Sequence, residues 1–366
     1  MPDQDHRGPR RPHPPGAGFL THHDTHHDST GTSRPRVPLP TRSSKETSVP
    51  FSATAPPPAR RFRELLAADG SIYLPGCYDA LSARIVESLG FPGAEIGGYA
   101  VETALIGGPD LGLITLTELA DHVRKIAAAV DIPLIVDVDT GFGGVNNIAR
   151  TVRMLEQAGA AGIHIEDQVN PKRCPVLPGR TLVPIDEAVG RYSAAVEARV
   201  SNDFLIIART DGDAVSYDEQ VERANAYLAA GADAVLPMFM EYNGKPMSEI
   251  SPDKQMQIWA DLVRDINGPL MMVTDPPAGY RLSDVADLGV KIISVPAISV
   301  EAAANAIYDV LVELRANGTV QNYYERNPKT FSAGRNLMEL VHLDHYLDFE
   351  LRHDPRARRT GGQPTR

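Results

Sequence analysis

From Ser71 onward, short apolar runs alternate with longer stretches in which apolar residues recur at helical spacing. Eight runs read as strands: residues 72–74, 94–97, 134–139, 162–166, 204–209, 234–238, 270–274 and 291–295. Between them lie helical patterns such as 148–158, 217–230 and 300–316, and a Gly marks the helix-to-strand turn at Gly159, Gly231 and Gly289. Strands that alternate with helices need crossover connections, which argues for a parallel sheet with helices outside it. Eight such units predict an α/β fold of the (β/α)8 TIM-barrel type. A doubly wound open sheet is the alternative, since the pattern alone does not separate a closed sheet from an open one. Residues 332–352 read as one further helix with an apolar stripe of Leu337, Leu340, Leu343 and Leu347. A barrel does not need it, so the stripe is expected to pack on a neighbouring subunit or back on its own barrel.

Composition sets the boundaries of this picture. Residues 1–60 hold 12 of the 30 prolines and 6 of the 11 histidines, with no sustained apolar period and no signal-peptide core, and read as a disordered extension. The pairs His22-His23 and His26-His27 within it read as solvated rather than metal-binding. The barrel with its helical tail is expected over 61–352 and a disordered tail over 353–366. Of the 366 residues 42% are apolar and 23% charged, enough to build a core without staples. The net charge of −11 argues against nucleic acid and anionic lipid as partners, and no apolar run reaches membrane-spanning length. With only Cys77 and Cys174 there is no disulfide framework, which fits a reducing cytoplasm. Cys77, at the end of the first strand, reads as core.

In a barrel the active site lies at the carboxyl ends of the strands, and here those ends are acidic. The third strand closes on Asp137-Val138-Asp139, where residues two apart share a face, so both carboxylates are expected to project together. Asp110 falls in the loop after the second strand, Glu166 ends the fourth, and Arg209, followed by Asp211, ends the fifth. Such a cluster is costly without a cation, which points to a hard metal such as Mg²⁺, with Mn²⁺ as a substitute. An Asp after a strand also commonly caps a helix or shapes a turn. Arg209 supplies a fork for a substrate carboxylate or enolate, or else a structural ion pair to Asp211 or Glu166. The segment 167–180 is far longer than the usual connection of about 2 to 6 residues and reads as a lid. It sets Cys174 beside Lys172 and Arg173, two cations expected to lower its thiol pKa.

Taken together, Gly108-Pro109-Asp110-Leu111-Gly112, Asp137-Val138-Asp139-Thr140-Gly141-Phe142-Gly143, His164-Ile165-Glu166-Asp167-Gln168 with Lys172-Arg173-Cys174, and Ala208-Arg209-Thr210-Asp211 resemble the isocitrate lyase / phosphoenolpyruvate mutase superfamily. The similarity covers roughly residues 61–351 and is strongest to the methylisocitrate lyase, dimethylmalate lyase and carboxyphosphonoenolpyruvate mutase branch. It implies Mg²⁺ held at Asp137, with Asp110, Asp139 and Glu166 reaching it directly or through water. It also implies a small carboxylate substrate contacted by Arg209, and Cys174 as the acid that protonates the departing enolate. Lys172 and Glu166 join Cys174 and Arg209 in the catalytic set, and Gly97, Gly98, Tyr99 and Thr274 border the substrate. A homotetramer, built as a dimer of dimers with exchanged C-terminal helices, is implied as well.

The departures from the family pattern bear on the chemistry. The lyase lid normally reads Lys-Lys/Arg-Cys-Gly-His; here Pro175 and Val176 stand for the Gly and His, so a hinge and an imidazole are missing and the thiol is left to Lys172 and Arg173. Gly97-Gly98-Tyr99 replaces a Ser-Gly-Gly turn, and Met238 stands where methylisocitrate lyases carry a Glu. The leading expectation is carbon–carbon cleavage of a 2-hydroxy or 2-oxo di- or tricarboxylic acid through an enolate. Phosphorus–carbon chemistry, as in the phosphonomutases, and an inactive barrel kept as a binding protein are the alternatives.

Overall fold

The computed structural model describes residues 56–331 and 335–359. Eight parallel strands form the centre: β1 Ile72–Pro75, β2 Ala94–Ile96, β3 Leu134–Asp137, β4 Gly162–Glu166, β5 Leu205–Thr210, β6 Ala234–Pro237, β7 Met271–Val273 and β8 Ile292–Val295. Pairing runs without interruption from β2 to β6 and from β7 through β8 to β1. Single parallel bridges, Gly76 with Glu95 and Val235 with Leu270, join the two arcs into a ring. The open-sheet alternative is thereby excluded: every strand has two neighbours and no edge is left. All eight expected strands are present, each within two residues of its expected ends, and Gly159, Gly231 and Gly289 adopt the left-handed conformation their turns require (φ 97°, 101° and 101°).

Strand alternation sorts the apolar residues into two cores. Ile72, Leu74, Ile135, Leu205, Ile207, Ala234, Leu236, Met271 and Ile292 point inward and fill the barrel, together with Phe62. Phe62 comes from the helix Pro58–Ala67, which opens three residues before the expected start and closes the amino end of the barrel. Arg63 of the same helix fixes it there, binding Asp233 at 3.0 Å and the carbonyl of Phe204. The opposite strand faces, with Ile163, Ile206, Val235 and Ile293, pack under the surrounding helices. Cys77 is fully buried, as expected for a core thiol.

The C-terminal region differs from expectation. After the long helix Ile298–Asn317, the segment read as one helix is two, Arg335–Leu340 and Leu343–His353, with His342 between them at φ 59°. A left-handed residue cannot continue a helix, and no Gly or Pro signals the break. A short helix, Pro355–Arg359, lies within the stretch expected to be a disordered tail. Residues 1–55, with the paired histidines, and 360–366 lie outside the described residues. Among the described residues no helix is long and apolar enough to cross a membrane.

Candidate active site

The carboxyl ends of β2 to β5 carry the acids, but not all in the way strand alternation suggests. β3 ends at Asp137, and Asp139 lies beyond it with φ 46°, a conformation Asp tolerates better than most residues. The turn is held by the Asp139 amide donating to Asp137 Oδ1 at 3.0 Å and by the Glu166 amide donating to the Asp139 carbonyl at 2.9 Å. The two carboxylates therefore meet through a turn rather than through a shared strand face. Asp110 does not follow β2 directly, because the helix Gly98–Ile106 intervenes. Its loop is pinned by Glu102, a buried carboxylate of that helix, which accepts from the amides of Leu111 (2.8 Å), Leu113 and Ile114 (3.2 Å).

Two side-chain cations balance the acids. Lys172 is 3% exposed; its Nζ bonds Asp110 and lies 3.0 Å from Asp139 Oδ1. Burial works against its charge, but Asp139, Glu166 and Asp137 more than offset this and keep the ammonium protonated. Arg209 contacts Glu166 at 3.0 Å and Asp211 at 3.0 Å, so the structural ion pairs expected as its alternative role both exist, while its side chain also lines the central cavity. Burial raises the Asp139 carboxyl to about 6 even though Lys172 pulls it down. Burial also acts to raise Asp137, but His164, Lys172 and Arg209 overcome it and hold that carboxyl at about 2. Burial pushes Glu166 well above the usual range, with Arg209 offsetting only part.

Behind Asp137 lies a pair the sequence reading did not single out. His164 of β4 donates from Nε2 to Glu95 Oε1 of β2 (2.9 Å), and its Nδ1 is 3.6 Å from Asp137 Oδ1. Burial disfavours the imidazolium, yet the Asp137 charge and the Glu95 hydrogen bond raise its pKa. The signal available in sequence was a Glu inside an otherwise apolar strand, where an ionisable side chain needs a partner.

The segment 167–180 is firmly held at both ends. Asp167 is buried and accepts from Thr210 (2.8 Å), the Asp211 amide (3.0 Å) and Tyr227 (2.7 Å). The Gln168 side chain grips the backbone of Arg173 through both its oxygen (2.9 Å) and its nitrogen (3.0 Å). At the far end, buried Arg180 binds Asp211 (2.9 Å), Asp213 (2.7 Å) and Glu241 (3.2 Å). Cys174 sits between these anchors, half-buried, but not as a thiol activated by cations. Burial, followed by the neighbouring Asp110, pushes it up to about 12; Lys172 acts only weakly, being engaged by the acids, and Arg173 is exposed.

A cavity of about 160 Å³ lies at the carboxyl mouth of the barrel. At about 10–15 Å³ per water that is room for on the order of ten small atoms or waters, the size of a small organic acid. Glu95, Asp110, Asp137, His164, Cys174 and Arg209 line its polar side, Leu236, Met238, Met240 and Val273 its apolar side. Gly97, Gly98 and Tyr99 border it as expected, the Gly98 amide donating to Asp137 Oδ2 at 3.2 Å. Thr274 does not: Val273 takes that place, because adjacent residues on a strand face opposite ways.

The donor set suits a hard divalent cation. Both Glu166 oxygens and Asp139 Oδ1 are buried without a hydrogen bond, with Arg209 3.0 Å from Glu166 Oε2 and Lys172 3.0 Å from Asp139 Oδ1, so acceptor capacity remains in this cluster. Among the described residues no three acidic, His or Cys side chains converge tightly enough to form a full cage.

A family model described as phosphoenolpyruvate phosphomutase matches residues 62–315. The 2,3-dimethylmalate lyase of Eubacterium barkeri is 36% identical over 283 residues, covering 77% of this chain and 94% of that one. A probable 2-methylisocitrate lyase of Corynebacterium glutamicum is 37% identical over 294 residues, covering 79% and 90%. Among solved structures, phosphoenolpyruvate phosphomutase from Streptomyces platensis superposes with a TM-score of 0.72 at 28% identity, covering 81% of this chain and 99% of that chain. A closed parallel barrel with strand-end carboxylates, matched over most of its length by these proteins, belongs to the PEP mutase/isocitrate lyase superfamily.

Proposed function

We propose that this chain is a Mg²⁺-dependent carbon–carbon bond lyase that cleaves a small 2-hydroxy or 2-oxo di- or tricarboxylic acid through an enolate. The observation that carries the reading is that Arg209, the carboxylates of Asp110 and Asp137 and the thiol of Cys174 line one small cavity. Asp137 would hold the metal, Asp110, Asp139 and Glu166 reaching it directly or through water, and Mn²⁺ suits the same oxygen donors. The bound cation supplies Lewis-acid polarisation of the substrate oxygens.

This chain's own residues account for the rest. In a 2-hydroxy acid, one of the site carboxylates takes the hydroxyl proton as the carbon–carbon bond breaks; the hydroxyl carbon becomes a carbonyl, and the bonding pair stays on the other fragment as an enolate. Arg209, held by Glu166 and Asp211, presents fixed positive charge to that enolate without having to reorganise. Lys172 keeps Asp110 and Asp139 in place. Cys174, whose thiol stays protonated at neutral pH, gives its proton to the enolate carbon. A thiol held protonated has a proton to give, whereas a nucleophile would have to be the thiolate.

Exposed apolar residues on Ile298–Asn317 and Leu343–His353, among them Ile307, Tyr308, Leu311, Tyr346 and Leu347, support a homotetramer in which the C-terminal helices pack on a partner. Two free cysteines support a cytoplasmic setting. Phosphorus–carbon chemistry is the second reading, favoured by the phosphomutase family model.

A product-resolved NMR screen with Mg²⁺, repeated with EDTA, tests the assignment on 2-methylisocitrate, 2,3-dimethylmalate, oxaloacetate and phosphonopyruvate. Metal-dependent cleavage of a carbon acid is expected. Rearranged ³¹P signals from phosphonopyruvate alone would favour the second reading, and no turnover of any compound would favour a binding protein.

A further inference from the structure

We propose that Glu95 is a specificity-determining residue that accepts a hydrogen bond from a substrate hydroxyl. The inference rests on the lyase reading in one respect, that substrate occupies the cavity at the barrel mouth. Glu95 is 1% exposed and lines that cavity from β2. One of its oxygens is engaged by His164 at 2.9 Å. The other, Oε2, is buried and has no hydrogen-bond partner. His164 cannot serve it, because the second ring nitrogen faces Asp137 at 3.6 Å. Among the other cavity-lining side chains, Leu236, Met238, Met240 and Val273 have no donor, and none of Tyr99, Cys174 and Arg209 bonds this oxygen.

A carboxylate oxygen accepts and does not donate, and a buried one left unpaired is costly, so a ligand that brings a donor to this point gains what a ligand without one forfeits. A hydroxyl meets that requirement. A substrate carboxylate does not, since like charges would face each other in a closed cavity. Arg209 then serves the anionic part of the substrate and Glu95 its hydroxyl. Sites built to bond a substrate hydroxyl discriminate strongly against the analogue that lacks it.

The test compares malate with succinate, which differ by that hydroxyl, by calorimetric binding to the full-length protein with Mg²⁺, and uses oxalate as a probe of the enolate end. Oxalate binding together with at least roughly ten-fold tighter binding of malate than succinate is the expected result. Glu95→Gln places an amide NH₂ where an oxygen stood, and should cut the preference below about three-fold with oxalate affinity little changed. Oxalate binding with no malate preference in the unaltered protein overturns the role of Glu95 while leaving the lyase reading intact. A preference that Glu95→Gln does not reduce also overturns it. If oxalate, malate and succinate all fail to bind, the lyase reading falls and this inference with it. The malate-to-succinate ratio of the unaltered protein decides the matter even if Glu95→Gln does not fold.

Discussion

Replacing Lys172 by Met is the sharpest way to ask whether side-chain cations hold the acid cluster together. The ammonium is buried, bonds Asp110 and lies 3.0 Å from Asp139. At an effective dielectric of about 20, a contact at that distance is worth roughly 5–6 kcal/mol before the cost of dehydrating the ammonium is returned. Stripping one partner from a buried pair typically leaves a net loss of about 3–5 kcal/mol. For a chain of this size that is roughly 6–10 °C in Tm. The deficit should depend on pH in a definite direction. Asp139 already has a folded pKa raised to about 6, so its contribution is most favourable at low pH and is lost as pH rises through that value. Without Lys172, which pulls it down, the folded pKa rises further, so Lys172→Met should be far weaker than the parent at pH 8 and much closer to it at pH 5. Urea unfolding in EDTA at both values measures this with no metal to substitute for the lysine. A loss under about 1 kcal/mol at pH 8, or an equal loss at both pH values, refutes the argument.

Two further outcomes follow from the same geometry. Cys174→Ala should lower turnover by about 10²- to 10⁴-fold while leaving Tm nearly unchanged, since the residue is a half-buried loop position; an undiminished rate removes the thiol as the proton donor. Glu102→Ala leaves the amides of Leu111, Leu113 and Ile114 without their acceptor, at a cost of about 1–3 kcal/mol. Hydrogen exchange across residues 111–114 should accelerate, and unchanged protection would show that the Asp110 loop is held by something else.

What the sequence made legible follows from periodicity. Strands such as Gly162–Glu166 and Leu205–Thr210 are buried on both faces, so they read as continuous apolar runs that end in charge. The acids at those ends were visible because ionisable residues stand out against such runs. Misplacements occurred where one residue of parity or one torsion decides the outcome: Thr274 against Val273, and Asp139, which reaches Asp137 through a left-handed turn. Charge environments were less accessible still. Adjacency in sequence put Cys174 beside two cations, but Lys172 folds away to the acids and Arg173 turns outward, leaving the thiol next to Asp110. The break at His342 has no local signature, and Glu95 and His164 form a pair only once β2 and β4 flank β3.

The two anchors of the segment 167–180 bear on how this enzyme could change over generations. Gln168 fastens the backbone at Arg173, and Arg180 rivets the other end to Asp211 and Asp213. Between them runs the short arc 174–179, whose first three residues line the cavity. Exchanges along that arc alter what the substrate meets while leaving the barrel's folding energy almost untouched. Pro175 and Val176 stand where the relatives' pattern has Gly and His, in the one stretch where such replacements cost the scaffold little, so new substrate preferences can be sampled there without first being paid for in stability.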